Sequence, residues 1–321
     1  MLQLAGCTLV AGVDRSAFGE TGAVVRDASS SDERVDCMPS ETRCGDGRDD
    51  DCDGRVDGAD PDCAPAVGDS CASPPALELG REIRGDTTSL RNDVRPGCVR
   101  ETIDAPDAVW SLDVTAPSDL VASTFGSGYD TVLALRRRCT RPDEELACAN
   151  DANARRESRI VYRGLQPGSY ALLLDGDRMP SAGPFRLHAT LAPSPAQRGC
   201  GDALDVTGGA TIRGRTGQDG AEDQATGSCG GENAAEEVYR FELSTRTRVQ
   251  IHTAGSSFDT VVYLRRERCE DNNAEIACND DASSGGGPSR LDLTLDPGRY
   301  FLFVDGFGGA EGRYQLVVYF G

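Results

Sequence analysis

The chain contains no lysine, so all 33 of its basic residues are arginine, against 53 acidic residues in a length of 321. The formal net charge is therefore −20. A nucleic-acid partner requires a basic surface that neutralises phosphates, and this composition argues against one. The same charge argues against a purely electrostatic attachment to anionic lipid.

Histidine is also scarce, and the usual catalytic motifs are missing. Only His188 and His252 occur, both at outward positions of predicted strands. The sequence has no H-E-x-x-H or G-x-S-x-G motif, and no glycine loop that would cradle a phosphate. Carboxylates are so numerous that no glycosidase-like pair stands out. We therefore predict that the protein is not an enzyme.

Long hydrophobic runs are absent, since no stretch approaches the roughly 18 apolar residues of a membrane-spanning helix. Aromatic residues make up only 6% of the chain, whereas glycine is plentiful at 38 residues. This composition predicts β-rich, loop-rich domains with modest cores. Any membrane attachment would have to be through a lipid.

The main feature that is present is a long internal repeat. The segment from Tyr129 to Leu191 resembles the segment from Phe258 to Phe320, at an offset of about 130 residues. A repeat of this length is a domain rather than a solenoid unit. Inward apolar residues alternate with polar ones, as at Tyr314, Leu316, Val318 and Phe320, and Pro-Gly pairs mark hairpin turns. The pattern predicts an all-β protein with two tandem antiparallel, jelly-roll-like β-sandwiches.

The 13 cysteines indicate an oxidising compartment. Four lie in each repeat at matching intervals: Cys71, Cys98, Cys139 and Cys148, then Cys200, Cys229, Cys269 and Cys278. The simplest pairing joins neighbours in sequence (Cys71–Cys98, Cys139–Cys148, Cys200–Cys229 and Cys269–Cys278), although four cysteines allow three connectivities per domain. Metal ligation is disfavoured, because neither repeat has the short C-x₂₋₄-C spacing of a zinc site.

The remaining odd cysteine, Cys7, ends the sequence Leu4-Ala5-Gly6-Cys7, which resembles a bacterial lipobox. Six residues without positive charge precede it, whereas a leader has a basic region and an apolar stretch. Either translation starts upstream or the match is chance, and the odd cysteine count favours lipidation. The small, polar residues that follow, up to residue 36, predict a flexible tether.

An acidic segment framed by Cys37, Cys44, Cys52 and Cys63 has the ligand spacing of a calcium loop. Its candidate ligands are the carboxylates of Asp49, Asp51, Asp53, Asp57 and Asp60, with the carbonyl of Arg55. Gly54 permits the sharp turn that such a loop needs. The segment resembles thrombospondin type 3 and dockerin loops and, more closely, the cysteine-framed MopE-type repeats of bacterial surface proteins. The resemblance implies calcium as the cofactor.

The two repeats share a series of turn motifs, namely D-T-x-x-x-L, C-N-D-D, L-x-P-G-x-Y-x-x-x-V-D-G and G-x-Y-x-L-x-V, which the second copy matches better. They resemble bacterial pre-peptidase C-terminal (PPC) domains. The resemblance implies a sandwich fold similar to jelly rolls, in a domain that usually accompanies secreted proteases and sometimes binds calcium or assists substrate attachment. No protease domain is recognisable here.

One polar constellation in the repeats is a second candidate cation site, formed by Asp259, Asn279, Asp280 and Asp281. Side-chain capping of turns explains the same residues and is the interpretation we favour. Asp130, Asn150 and Asp151 match these residues in the first copy, less completely. Exposed aromatic residues, Phe301 and Tyr319, suggest a stacking platform for carbohydrate.

The sequence thus predicts a tether (residues 1–36), a calcium-binding motif (37–65) and two PPC-like sandwiches (66–194 and 195–321). We expect a non-enzymatic binding protein that is extracytoplasmic, either secreted or held at the outer membrane by a lipid on Cys7. Its partner would be an extracellular polysaccharide or protein. The alternatives are a structural spacer without a ligand, or an accessory subunit that attaches a secreted hydrolase to its polymeric substrate.

Overall fold

The computed structural model describes residues 37–38, 48–49, 51–55, 67–99, 105–177, 181–283 and 286–321. Below, the first half denotes residues 66–194 and the second half residues 195–321. The all-β prediction is confirmed: 46% of the described residues are strand, and no helix among them reaches seven residues. In the part of the chain that the structure describes, four 3-10 turns lie in the loops, at Pro142–Glu144, Cys200–Asp202, Asn272–Ala274 and Phe307–Gly309.

The strands of the first half are short, and the central strands β4 and β7 are buried on both faces. They are β1 (Glu82–Asp86), β2 (Ala108–Val114), β3 (Ser118–Ser123), β4 (Thr131–Arg136), β5 (Glu145–Asn150), β6 (Arg159–Leu165), β7 (Gly168–Gly176) and β8 (Pro184–Pro193).

The second half contributes nine strands. They are β9 (Leu204–Asp205), β10 (Ala210–Arg215), β11 (Glu237–Leu243), β12 (Thr247–His252), β13 (Thr260–Arg266), β14 (Glu275–Asn279), β15 (Arg290–Leu295), β16 (Gly298–Gly306) and β17 (Arg313–Phe320).

These strands form three sheets, and the largest one crosses from one half to the other. Its order is β1-β8-β3-β6-β10-β17-β12-β15, so four strands come from each half. The two smaller sheets have the orders β2-β7-β4-β5 and β14-β13-β16-β11-β9. The pairings are antiparallel except for β6 with β10 and β9 with β11, which are parallel. The sequence predicted two sandwiches but not the parallel pair that joins them.

Side-chain alternation places the two smaller sheets on opposite faces of the eight-stranded sheet. Ile160 on β6 faces the first core, with Trp110 and Leu187, whereas the next residue, Val161, faces the second core, with Phe241 and Leu316. Because successive side chains of a strand point to opposite faces, the four-stranded sheet covers one face and the five-stranded sheet the other. The inward residues predicted for β17 are confirmed as buried.

The disulfides in the described residues differ from the simplest pairing. The bonds are Cys37–Cys52, Cys71–Cys139, Cys98–Cys148, Cys200–Cys269 and Cys229–Cys278. Cys44, Cys63 and Cys7 lie outside the described residues.

Hairpin register explains why neighbouring cysteines do not pair. Cys148 on β5 lies opposite Ala134, whereas Cys139 lies five residues further along the chain than Ala134. The register therefore places Cys148 within the strand pair and Cys139 in the connection beyond it, and each bonds to a different cysteine. Cys98–Cys148 and Cys229–Cys278 tie the loops before β2 and β11 to the edge strands β5 and β14 of the smaller sheets. Cys71–Cys139 and Cys200–Cys269 tie the segments before β1 and β9 to the β4–β5 and β13–β14 connections. Five disulfides indicate an oxidising or extracellular environment.

Two arginines that the sequence analysis overlooked are buried at equivalent positions, Arg136 on β4 and Arg265 on β13. Arg265 donates from Nη1 to the carbonyl of Cys269 at 2.7 Å, and Arg136 donates to that of Cys139 at 3.2 Å. The guanidinium of Arg265 also lies 4.6 Å from the ring centroid of Phe303. These arginines therefore hold the cysteine loops by hydrogen bonds that need a planar donor group.

Candidate functional sites

A polar cleft of about 550 Å³ lies on the outward face of the second half, beside the first half. Its floor is the solvent-facing side of the eight-stranded sheet, where side chains of β10, β12, β15 and β17 point away from the core: Thr211, Gln250, His252, Arg290, Gln315 and Tyr319. The sequence pattern of these strands fixes this face, since Val249, Ile251, Leu316 and Val318 alternate with them and are buried.

The wall of the polar cleft comes from the first half. It is formed by Asn150 and Asp151 at the end of β5 and by the disulfide between Cys98 and Cys148. Strand β5 is the edge of the four-stranded sheet and contacts β10. The cleft therefore exists because the four-stranded sheet ends at β5 while the sheet beneath it continues.

The groups on the floor are mostly neutral hydrogen-bonding side chains. Gln250 donates from Nε2 to Asp292 at 3.0 Å, which fixes the orientation of its amide. His252 is half-buried, and its Nδ1 is buried without a hydrogen-bond partner in the described part of the chain. Burial, followed by the charge of Arg290, lowers the pKa of His252, so its imidazole is neutral near pH 7. Neutral imidazole, amide and phenol groups can both donate and accept.

Tyr319 and Phe301, the two aromatics predicted to be exposed, have different surroundings. Tyr319 is half-buried and lines the polar cleft. Phe301 is buried, with 7% exposure, and packs against Cys269 on the outer side of the five-stranded sheet. The prediction for Phe301 was wrong because the loops held by the disulfides cover that side of the sheet.

The predicted calcium loop is described only in part. Asp49, Asp51 and Asp53 offer carboxylate oxygens that lie within 4.8 Å of one another. Gly54 has a φ of 92°, which is the conformation expected of a sharp turn, and its N–H donates to Asp49 Oδ2 at 3.0 Å. The other oxygen, Asp49 Oδ1, is buried without a hydrogen-bond partner in the described residues. Convergent carboxylates with an unsatisfied oxygen fit a hard cation such as calcium. Asp57 and Asp60 lie outside the described residues.

The second acidic constellation brings together Asp259, Asp280 and Asp281, whose carboxylate oxygens also lie within 4.8 Å of one another. Asp259 Oδ1 accepts from the N–H of Gly287 at 2.7 Å, and Asp281 Oδ2 accepts from that of Gly286 at 3.2 Å. These contacts are the turn capping that the sequence analysis favoured. Oδ1 of Asp280 and Oδ1 of Asp281 are buried without such partners in the described ranges.

Asn279 does not belong to the acidic cluster in the structure, and the equivalent residues of the first half differ from it in charge. Asn279 Oδ1 accepts from the N–H of Arg290 at 2.7 Å, and its Nδ2 donates to the carbonyl of Asp281 at 3.1 Å, so backbone groups engage both ends of this amide. In the first half, Arg156 Nη1 lies 3.4 Å from Asp130 Oδ2 and supplies a positive charge there. The described second half has no such ion pair. Burial, followed by the charges of Asp259 and Asp281, raises the pKa of Asp280.

Asp175 and Asp305, the aspartates of the repeated Asp-Gly turns, are buried carboxyls outside these clusters. Burial raises the pKa of each to about 8, although each accepts a hydrogen bond from the next backbone N–H. Asp305 Oδ2 also lies 3.2 Å from the hydroxyl of Tyr263. Both carboxyls are therefore protonated at neutral pH and serve the turn rather than an external ligand.

One protein-family model matches part of the chain. The model of the bacterial pre-peptidase C-terminal domain family matches residues 235–306. This match supports the PPC resemblance in the second half. The matched family is non-catalytic, and no catalytic family is indicated. No curated protein matches the chain.

Several solved structures are similar to the chain. The pre-peptidase C-terminal domain of a collagenase from Bacillus anthracis is 19% identical, with a TM-score of 0.26, over 36% of this chain and 93% of that one. The tandem CBM22 domains of Xyn10C from Paenibacillus barcinonensis are 10% identical, with a TM-score of 0.20, over 78% and 99%. The ANX1 ectodomain from Arabidopsis thaliana is 9% identical, with a TM-score of 0.22, over 76% and 89%.

No helix in the described ranges is both long enough and apolar enough to cross a membrane.

Proposed function

We propose that this protein is a non-catalytic, extracellular binding protein whose ligand occupies the polar cleft between its two halves. The observation that carries the proposal is the cleft itself, which has a floor of outward polar side chains and a half-buried tyrosine. A cleft of this volume is within the usual range for ligand sites. The PPC match supports a binding or accessory role rather than catalysis.

The proposed ligand of the cleft is a carbohydrate polymer. The apolar face of a sugar ring packs on an aromatic side chain such as Tyr319, and its hydroxyls exchange hydrogen bonds with amides such as those of Gln250 and Gln315. These groups lie on rigid strands rather than on loops, so they are already in position before binding. Attachment of a secreted hydrolase to such a polymer is the form of this function that the PPC family favours.

We further propose that the two halves are tandem PPC-like domains. Support comes from the equal strand orders β1-β8-β3-β6 and β10-β17-β12-β15, and from disulfides that span 68 and 50 residues in one half and 69 and 49 in the other.

Calcium is proposed as a structural ion in the acidic loop that begins at Asp49, with Asp259, Asp280 and Asp281 as a second candidate site. The unsatisfied oxygens of Asp49, Asp280 and Asp281 support this proposal. The MopE-type resemblance supports it for the first site.

Attachment to the outer membrane through Cys7 is proposed from the lipobox resemblance. Radiolabelled palmitate supplied to producing cells should label the protein, and Cys7→Ser should remove the label.

The proposed carbohydrate binding is tested by retention of the whole protein on a panel of insoluble polysaccharides. We expect retention on at least one polymer and its loss in Tyr319→Ala. Phe307→Ala is the matched control, because Phe307 is an aromatic residue of the same half that is 47% exposed and does not line the cleft. No retention on any polymer, or equal loss in both variants, would contradict the proposal and favour the spacer function.

A further inference from the structure

A second cleft, of about 440 Å³, lies at the other end of β5 and is lined by arginines. Its cationic side chains come from the β4–β5 connection and from β10 and β17: Arg137, Arg213, Arg215 and Arg313. None of the four forms an ion pair with a carboxylate in the described part of the chain. We call this the arginine cleft. Four guanidinium groups without a carboxylate partner lie together here, although the protein has a net charge of −20. Arg213 is half-buried, and the other three are exposed.

The other charged residues of the arginine cleft are already neutralised. Glu145 pairs with Arg136 at 3.2 Å. Arg163 is buried between Asp119 and Glu237, with ion pairs to both. The four remaining arginines therefore give the cleft a net positive charge.

Among these four arginines, Arg213 is the one with a buried nitrogen that lacks a hydrogen-bond partner in the described residues. It is half-buried on β10, and its Nε is buried without a hydrogen-bond partner in the described residues. Burial lowers the pKa of this guanidinium, although the group remains charged. The charge of Glu145 acts on Arg213, but the two form no ion pair, since Glu145 pairs with Arg136. An anionic ligand would supply the contact that the partly desolvated guanidinium lacks.

The arginine cleft and the polar cleft lie end to end beside β5. Thr211 lines the polar cleft, and Arg213, two residues later on the same face of β10, lines the arginine cleft. Along β5, Asn150 belongs to the first and Glu145 to the second. The two clefts thus form one groove, which we call the step groove, where the four-stranded sheet ends above the eight-stranded sheet.

We propose that the step groove binds a carboxylated polysaccharide, with uronate carboxylates in the arginine cleft and neutral hydroxyls in the polar cleft. The inference deepens the proposed function and rests on it. Guanidinium groups bind carboxylates through paired, charge-assisted hydrogen bonds. Tyr162 lies opposite Arg213 in the parallel pairing of β6 with β10, so a half-buried aromatic ring accompanies the charge.

A polysaccharide suits the groove better than an acidic peptide does. The polar cleft presents neutral donors and acceptors over its floor, which match hydroxyl groups on successive rings. The favourable charge is local, so binding should weaken as salt rises.

The test is calorimetric titration of the whole protein with hexagalacturonate, with its fully methyl-esterified form, and with hexaglutamate. We expect hexagalacturonate to bind more tightly than its ester, and the double variant Arg213→Gln with Arg215→Gln to lose at least about tenfold in affinity for the acid form only. Arg84→Gln is the matched control, since Arg84 is exposed, paired with Glu82 and remote in the sheet order on β1. Circular dichroism checks that each variant is folded.

Each outcome separates this inference from the proposed function. Equal affinity for acid and ester, or no effect of the arginine substitutions, would overturn the inference while leaving carbohydrate binding in the polar cleft intact. Tighter binding of hexaglutamate than of hexagalacturonate would overturn the assignment to a polysaccharide. Acid-selective binding that depends on Arg213 and Arg215 but not on Tyr319 would support the arginine cleft and contradict the proposed role of the polar cleft.

Discussion

Arg163 on β6 forms an ion pair with Glu237 on β11, and both side chains are buried. The first residue belongs to one half of the chain and the second to the other. Arg163 also lies 3.1 Å from Asp119, which pairs in turn with Arg198. Two arginines and two carboxylates thus balance their charges at the junction. Together with the pairing of β6 with β10, this network fixes the two halves relative to each other.

The junction network predicts a large effect of Arg163→Ala on stability. The substitution leaves Asp119 and Glu237 buried without their shared cation, so we expect a loss of about 3–5 kcal/mol in the free energy of unfolding. Urea denaturation of the whole protein measures this loss. Arg299→Ala is the control, because its pair with Glu242 is exposed and should contribute no more than about 1 kcal/mol. Similar small losses in both variants would show that the network does not hold the junction.

The buried carboxyl of Asp305 predicts a pH dependence of stability. Its pKa is raised by burial to about 8 when the protein is folded and is near 4 when it is unfolded. Between about pH 4 and pH 8 the folded state therefore binds more protons than the unfolded state. The stability that the protonated Asp305 carboxyl allows is present at low pH and is lost as pH rises towards 8.

Asp305→Asn removes this titration while keeping an oxygen that accepts from Gly306. The stability of the parent relative to the variant should fall with pH by up to about 1.4 kcal/mol per unit between pH 5 and 8. Thermal or urea unfolding at several pH values gives this difference, in which other titrating groups cancel. A constant difference across the range would show that Asp305 ionises normally in the folded protein.

The disulfide connectivity predicts specific cross-linked peptides. Proteolysis without reduction, followed by mass spectrometry, should recover Cys98 joined to Cys148 and Cys229 joined to Cys278. Each bond closes a loop of about 50 residues, so its removal by paired Cys→Ser changes should cost about 4 kcal/mol on the chain-entropy model. Recovery of Cys139 joined to Cys148 would contradict the register of the β4–β5 hairpin.

Calcium binding is predicted for the acidic loop of the intact protein. Calorimetric titration should show a site with a dissociation constant on the order of 10⁻⁴ M, as in extracellular modules. Asp51→Asn with Asp53→Asn should abolish that heat, whereas Asp143→Asn, at an exposed carboxyl paired with Arg141, should not. If the signal persists in the first variant and is lost in Asp280→Asn, the cation binds at the second constellation instead.

The sequence predicted much of the fold because its strands alternate with a period of two. Leu316 and Val318 could be assigned to the core from that period alone, and Gly54 to a sharp turn from its spacing in the acidic loop. The cysteine pairing was not predictable, because it depends on hairpin register, which opposes Ala134 and Cys148 rather than Cys139 and Cys148.

The step groove could not be predicted from local pattern. It depends on the parallel pairing of β6 with β10, and neither strand carries a signal for its partner. From the sequence alone, Arg213 is an outward residue of a strand, and His252 is an isolated surface histidine. Their common groove arises from the end of another sheet at β5. The buried Arg136 and Arg265 were detectable, since they occupy the same position in both repeats.

Hydrogen–deuterium exchange of the whole protein, with and without hexagalacturonate, tests the central claim that the ligand lies in the step groove. Binding in the step groove should slow exchange in β5, β10, β12 and β17 when the oligosaccharide is present, and should cause no change in β1 or β8 at the far end of the sheet. Protection confined to the acidic loop or to the outer side of the five-stranded sheet would contradict it.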